Sequence, residues 1–405
     1  MKMTQYKALV RGMLAMLLLL LGNGCQSTGK AVEQSRQYSF WPPAPDEPHI
    51  QFLTAYNSSA DISPDQGHFN EMLYGRQQIL AIAKPYGVAM WQGKIYVCDV
   101  RSKGVTVLDL RQHVTAAIGV EGTLEIAKAI DIAIAPDGYK YVVDGGNHAI
   151  VVMDAQDHLI ERFAPKDFNP VSVAVDGEEL FVADFTGQTV KVFNRRSGTF
   201  LRKIGEGGSG EGQFVRPLAV RVDHNGVVFV DDVLACRVLR FDRNGAFLSA
   251  FGQAGNAAGD MVRPKHFSID KNGFLYLVDA GFSNVQVFDD QQKVVGYFGS
   301  PGQHPGAMNL PAGVFVDESS DDLALFQEYV HPAFQAERLV LVTNQFGNQR
   351  VSVYAVGHLK PGKKVADLSA ARGQVHAGTL SPTTAPATQP DFMPTAPPAS
   401  PGATK

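Results

Sequence analysis

Cysteine is scarce in this chain, with Cys25, Cys98 and Cys236 the only three in 405 residues. Three are too few for a disulfide framework, and no CxxC or CxxCH occurs, so neither a paired zinc-thiolate site nor covalently attached haem is expected. A basic excess is also missing. Lys and Arg number 36 against 40 Asp and Glu, a formal charge of −4, which argues against nucleic acid as a partner because phosphate binding needs clustered positive charge. Nor is there an apolar run long enough to cross a bilayer, which takes about 20 residues; Met13–Leu21 has nine. A GxSxG nucleophile turn is absent and the eleven histidines are scattered, so spacing composes no catalytic residues, no metal ligands and no cofactor site.

What the chain has instead is one phrase, repeated. Residues 263–299, RPKHFSIDKNGFLYLVDAGFSNVQVFDDQQKVVGYFG, read as four short runs rich in Val, Phe, Tyr and Leu, each bounded by Gly, Asn or Asp. That is the signature of antiparallel strands joined by tight turns. The head of the first strand recurs at Pro85, Ala129, Pro170, Pro217, Pro264 and Pro311, and the second strand ends at Asp99, Asp144, Asp184, Asp232, Asp279 and Asn344. A four-stranded unit returning every 41 to 47 residues predicts an all-β, six-bladed propeller over residues 49–357, each blade burying its faces against two neighbours. The sixth unit stops at its third strand, RVSVYAVG. HIQFLTAYN, residues 49–57, has the alternation of the missing fourth strand and is expected to pair near Val351–Tyr354, closing the ring and removing two free edges. Cys98 and Cys236 fall three blades apart and cannot bridge.

Outside the repeat, residues 1–24 carry Lys2, Lys7 and Arg11 before the apolar run, as a secretory signal does. Cys25, preceded by Gly24, resembles the lipobox of bacterial lipoproteins, although Gly22 stands where Leu is usual. The resemblance implies cleavage before Cys25 and acylation of it, palmitate included. Gln26 rather than Asp follows, which by that family's sorting habit favours the outer over the inner membrane. Residues 25–48 are expected to be a tether. Blade six carries an insertion at 318–337, ESSDDLALFQEYVHPAFQAE, where Leu323, Phe326 and Val330 suggest a short helix ended by Pro332. It fits either a cap over the seam or a docking element. The lead-in GHFNEMLYGRQQILAIAK, residues 67–84, is equally ambiguous. Residues 358–379 form a polar extension, and 380–405, rich in Pro, Ala and Thr, lack the apolar surface to fold.

The repeated Asp reads as a backbone acceptor for the adjoining turn. More pointed are the residues just before the aligned Pro, Lys84, Lys128, Asn169, Arg216, Arg263 and Leu310, four of them cations around one channel mouth. Two places after it stand Gly87, Asp131, Ser172, Ala219, His266 and Gly313. Asp131 and His266 belong to opposed blades. These residues are candidates for binding an anionic group on a small ligand or protein partner.

The phrase YVVDGGNHAIVVMD (141–154), with Asp144, Asn147, His148 and Ile150, and the linkers GEGGSGEGQFVRPLAV and GQAGNAAGDMVRPKHF resemble the NHL-repeat family over about three quarters of the chain. The resemblance implies an NHL or TolB-like propeller. Such proteins range from scaffolds to lyases and lactone hydrolases, so fold alone does not choose. WPPAPDEPHIQFL is also similar to envelope NHL proteins that accompany multihaem cytochromes. The expectation is a monomeric, non-catalytic binding or scaffold protein of the bacterial cell envelope, anchored by lipid and meeting an envelope protein partner such as a cytochrome complex. The alternative is a hydrolase or lyase, lactonase-like or amidating-lyase-like, acting at the channel mouth. Several acyl chains, each CH2 contributing about 0.8 kcal/mol, should fix the mature protein in membrane fractions; Cys25→Ala should shift it to the soluble extract in a fractionation blot, and unchanged membrane recovery would refute the anchor.

Overall fold

The computed structural model describes residues 38–62 and 79–370. The signal segment, Cys25, the lead-in from 67 to 78 and the segment from 371 to 405 lie outside the described residues. Five four-stranded antiparallel sheets and one five-stranded sheet form the blades of a six-bladed propeller. The inner strands begin at Pro85, Ala129, Pro170, Pro217, Pro264 and Pro311, the positions aligned from sequence.

Burial explains the wording of each repeat. Second strands such as Lys140–Asp144, Val228–Asp232 and Leu275–Asp279 are buried at every position. Both faces are covered by neighbouring blades, so the strand reads as a continuous run rather than an alternation. Fourth strands such as Val294–Phe298 face solvent on one side and alternate. The apolar side chains gather into six core clusters, one for each pair of adjacent blades. Cys98 and Cys236 are buried free thiols within this packing.

At the seam, Ile50–Tyr56 lies antiparallel to Val351–Leu359, with Phe52 opposite Tyr354 and Tyr56 opposite Val351. A further strand, Ser39–Trp41, pairs outside it, Phe40 facing Gln51. The stretch expected to be a tether therefore belongs to the propeller from residue 38 onward. Phe40 is only 4% exposed, and its prolines follow the strand instead of interrupting it, so the Pro-rich composition concealed a packed edge. The polar extension is corrected in the same way. The last strand runs to Leu359, and a helix at Val365–Ala370 seats Leu368 in the cluster that holds Phe40.

The blade-six insertion forms a helix at Ser320–Ala324 and a 3-10 turn at Gln327–Tyr329. Ser319 Oγ caps the helix by accepting from Asp322 N at 3.3 Å. Phe326 and Val330 pack with blade-six and blade-one residues in the seam cluster, so the insertion covers the junction.

Tyr354 concentrates the closure. Its buried ring meets Trp41, Phe52 and Phe298 at centroid distances of 5.9, 5.5 and 5.0 Å, and its hydroxyl donates to Gly306 O at 3.0 Å. Tyr354→Ala should cost about 3–5 kcal/mol and Tyr354→Phe about 1 kcal/mol in denaturant titrations; equal midpoints for the two variants would contradict this role.

Candidate functional site

The residues around the mouth are placed by the repeated acid. Asp99 accepts from the backbone N–H of Ala83 and Lys84 at 2.6 and 3.0 Å, and from Arg101 N in the following turn at 2.8 Å. Asp144 does the same for Ala127, Lys128 and Gly146, and Asp279 for Val262, Arg263 and Gly281. Asp184 and Asp232 hold Asn169 N and Arg216 N, while Asn344 Oδ1 holds Asn309 N in blade six. The acceptor role read from sequence thus extends backward, to the chain approaching the inner strand. In consequence, the residue before the Pro position is pinned at one height on five of the six blades.

Lys84, Lys128, Arg216 and Arg263 accordingly occupy equivalent positions on four blades. Lys84 and Arg216 are half-buried and the other two are exposed. Arg216 lies over the Phe185 ring at 4.8 Å. Among the described residues none of the four makes an ion pair, so their charge is uncompensated at close range.

Just inside this rim every inner strand is bulged, its register shifting between the Pro position and the residues two or three further on. A bulge leaves one residue unpaired and re-aims its side chain. In blade five that residue is Lys265, 7% exposed, whose Nζ lies 3.3 Å from Gln345 Oε1 and 5.8 Å from the ring centroid of Tyr86 in blade one. Burial, with Arg263 and Lys84 adding repulsion, brings its amine from 10.5 down to about 8.

Deeper in, Asp131 and His266 do meet across the ring, Nε2 to Oδ1 at 3.3 Å. Arg221, absent from the sequence candidates, joins them. Its Nη1 and Nη2 donate to Asp131 at 3.2 and 3.3 Å. Ser172 Oγ, Val173 N and Ile132 N donate to the same carboxylate at 2.6, 3.1 and 2.9 Å. Burial pushes the Asp131 carboxyl up, but Arg221, His266 and Ser172 more than reverse this and hold it well below the usual carboxylate range. Val314 N donates to His266 Nδ1 at 3.3 Å, while Nε2 lies against both Asp131 Oδ1 and an N–H of the Arg221 guanidinium. Burial and Arg221 lower the pKa of His266, keeping it neutral, so the network carries one negative and one positive charge. Ser172 spends its proton on Asp131 and does not bond His266, unlike a nucleophile and its base. The cluster is built as a tie across the axis.

Asp231 is a different case. It stands one place before the repeated Asp, where other blades carry Cys98, Val143, Ala183, Val278 and Thr343. It is fully buried and neither carboxyl oxygen has a partner. Burial, then Asp232 and Asp279, push its carboxyl well above the usual range.

With this geometry in view, comparison with known proteins is informative about fold. Residues 220–294 match a family model described as a 6-bladed beta-propeller. The likeness is one of architecture. No curated protein matches the chain. Similar solved structures include a protein of unknown function from Bacteroides thetaiotaomicron, at 14% identity and TM-score 0.52 over 76% of this chain and 75% of that one. An auxiliary nutrient binding protein from the same organism matches at 11% identity and TM-score 0.51, covering 68% and 70%. Virginiamycin B lyase from Staphylococcus aureus matches at 12% and 0.47, covering 68% and 95%.

The orphaned Asp231 generates a stability prediction. The fold binds its proton, whereas the unfolded chain releases it near pH 3.9, so its contribution declines as pH rises above about 4. Asp231→Val should therefore stabilise the protein by about 1–3 kcal/mol at neutral pH, with the gain shrinking toward pH 4; a destabilised variant in chemical denaturation would show that Asp231 has a partner.

Proposed function

We propose that this chain is an NHL-type binding protein of the bacterial envelope, lipid-anchored through Cys25 on the outer membrane, whose channel mouth takes a carboxylate of a small ligand or protein partner without converting it. The supporting observation is the rim of Lys84, Lys128, Arg216 and Arg263, held at matching heights and lacking ion-pair partners among the described residues. Fixed cations at a partly dehydrated rim attract an anion and can meet it with charge-assisted hydrogen bonds. Binding without turnover agrees with the axial cluster, where Asp131 is saturated by donors and Ser172 bonds that carboxylate instead of His266. The partner class best matched by the WPPAPDEPHIQFL resemblance is an envelope protein such as a multihaem cytochrome complex, with an acidic surface turned toward the mouth.

Each lost charge-assisted bond is worth about 1.5–3 kcal/mol, so converting Arg216 and Arg263 together to Glu should weaken partner recovery at least tenfold. The measurement is affinity purification of the tagged full-length protein from membranes, with mass spectrometry of what accompanies it and a salt series alongside. Unchanged recovery by the double variant would overturn the assignment of the mouth.

A further inference from the structure

Two lysines in this propeller are buried, and they are treated differently. Lys140 bonds Asp157 at 2.6 Å and the carbonyl oxygens of Asp154 and Ala155 at 3.2 and 3.1 Å. Lys265 has no ion pair among the described residues, and the neutral Gln345 Oε1 is its hydrogen-bond acceptor. Its side chain starts in blade five, touches a loop of blade six and overlies a ring of blade one. Blades five and one are not neighbours, so the amine stands at the mouth of the central channel. Below it the axis is crossed by Asp131, Arg221 and His266. Beside it are Arg263 and Lys84, which act on it as charges.

We propose that Lys265 is a covalent modification site, where its amine condenses with a small anionic aldehyde or 2-oxo acid to form an imine. This deepens, and rests on, the reading of the mouth as an anion site. The neutral amine attacks the carbonyl carbon while the C=O electron pair moves to oxygen, which takes up a proton. The carbinolamine then loses its hydroxyl, together with the remaining N–H proton, as water, leaving C=N. No oxidant or reductant is required. Gln345 Oε1 takes one N–H and so orients the lone pair, Arg263 and Lys84 match the carboxylate of the incoming carbonyl compound, and the Tyr86 face lies against the new double bond. The charged and titratable groups facing the amine are Arg263, Lys84 and Tyr86. An amine titrating near 8 is neutral in about a tenth of molecules at pH 7, a few hundredfold more than an ordinary lysine near 10.4.

The test incubates the full-length protein with sodium cyanoborohydride and either glyoxylate or uncharged propanal at pH 7.5, followed by lysine-resolved mass spectrometry. Glyoxylate should label Lys265 at least tenfold faster than the median of the other lysines, and faster than propanal does. Arg263→Gln should erase that preference, and Lys265→Arg should remove the label while keeping the mouth's charge. Even labelling of exposed lysines, or no label at Lys265, overturns the inference; equal labelling by both reagents overturns its anionic class. Calorimetric titration of Lys265→Arg with formate separates the two levels of argument. Formate binding that persists beside unlabelled wild-type Lys265 sinks the imine and spares the mouth, whereas absence of formate binding in wild type removes the reading beneath it.

Discussion

One carboxylate per blade carries the geometry on which everything else rests. In five of the six blades an Asp at the end of the second strand accepts backbone N–H groups from the chain approaching the inner strand, and in blade six Asn344 takes the part. Several donors converge on each of the five carboxylates, which accept such bonds more strongly than a neutral oxygen does. The result is a fixed relation between a turn on one side of the strand pair and a side chain on the other. Six repetitions convert that local relation into a ring, and the rim of cations follows from it without a further device.

Below the rim, two blades that never touch through their sheets are joined by side chains. The Asp131 carboxylate receives Arg221 from blade four, His266 from blade five and Ser172 from blade three. Removing one partner from such a buried set leaves uncompensated charge, which is far more costly than the set is stabilising. Asp231 makes the opposite bargain, a buried carboxyl with no donor at all. A residue that breaks the local rule without visible return is the kind found near working surfaces, and it lies one residue from the acid that positions Arg216.

Much of this was legible in the sequence, for definable reasons. Blade number, strand order and the first residue of every inner strand followed from a period of 41 to 47 residues, because stacking forces each unit to use the same alternation of strands and turns. The four rim cations were legible because they adjoin the aligned Pro position, and the Asp131–His266 opposition because half of a six-fold ring is three blades. Arg221 was not legible. It sits four places into its strand, where the other blades carry Ala, Ser or Phe, and only the folded ring brings its guanidinium to Asp131. Lys265 escaped because it stands between two positions that were compared while the bulge that turns it toward the channel leaves no mark on composition. Ser39–Trp41 was hidden by the prolines that follow it, and Leu368 by the loss of period.

The way the ring is sealed sets the order of assembly. Ile50–Tyr56 is among the first stretches of the domain to be synthesised and Val351–Leu359 among the last, yet they are neighbours in one sheet. Blades two to five can form as the chain lengthens, since each finds its partner within the next repeat. The leading strand, with only Ser39–Trp41 beside it, must wait for its blade-six neighbour until nearly the whole polypeptide has left the ribosome. Such distant pairing makes the final step slow, and for that interval the chain remains an unclosed string of sheets that can still be threaded or bound before it becomes a wheel.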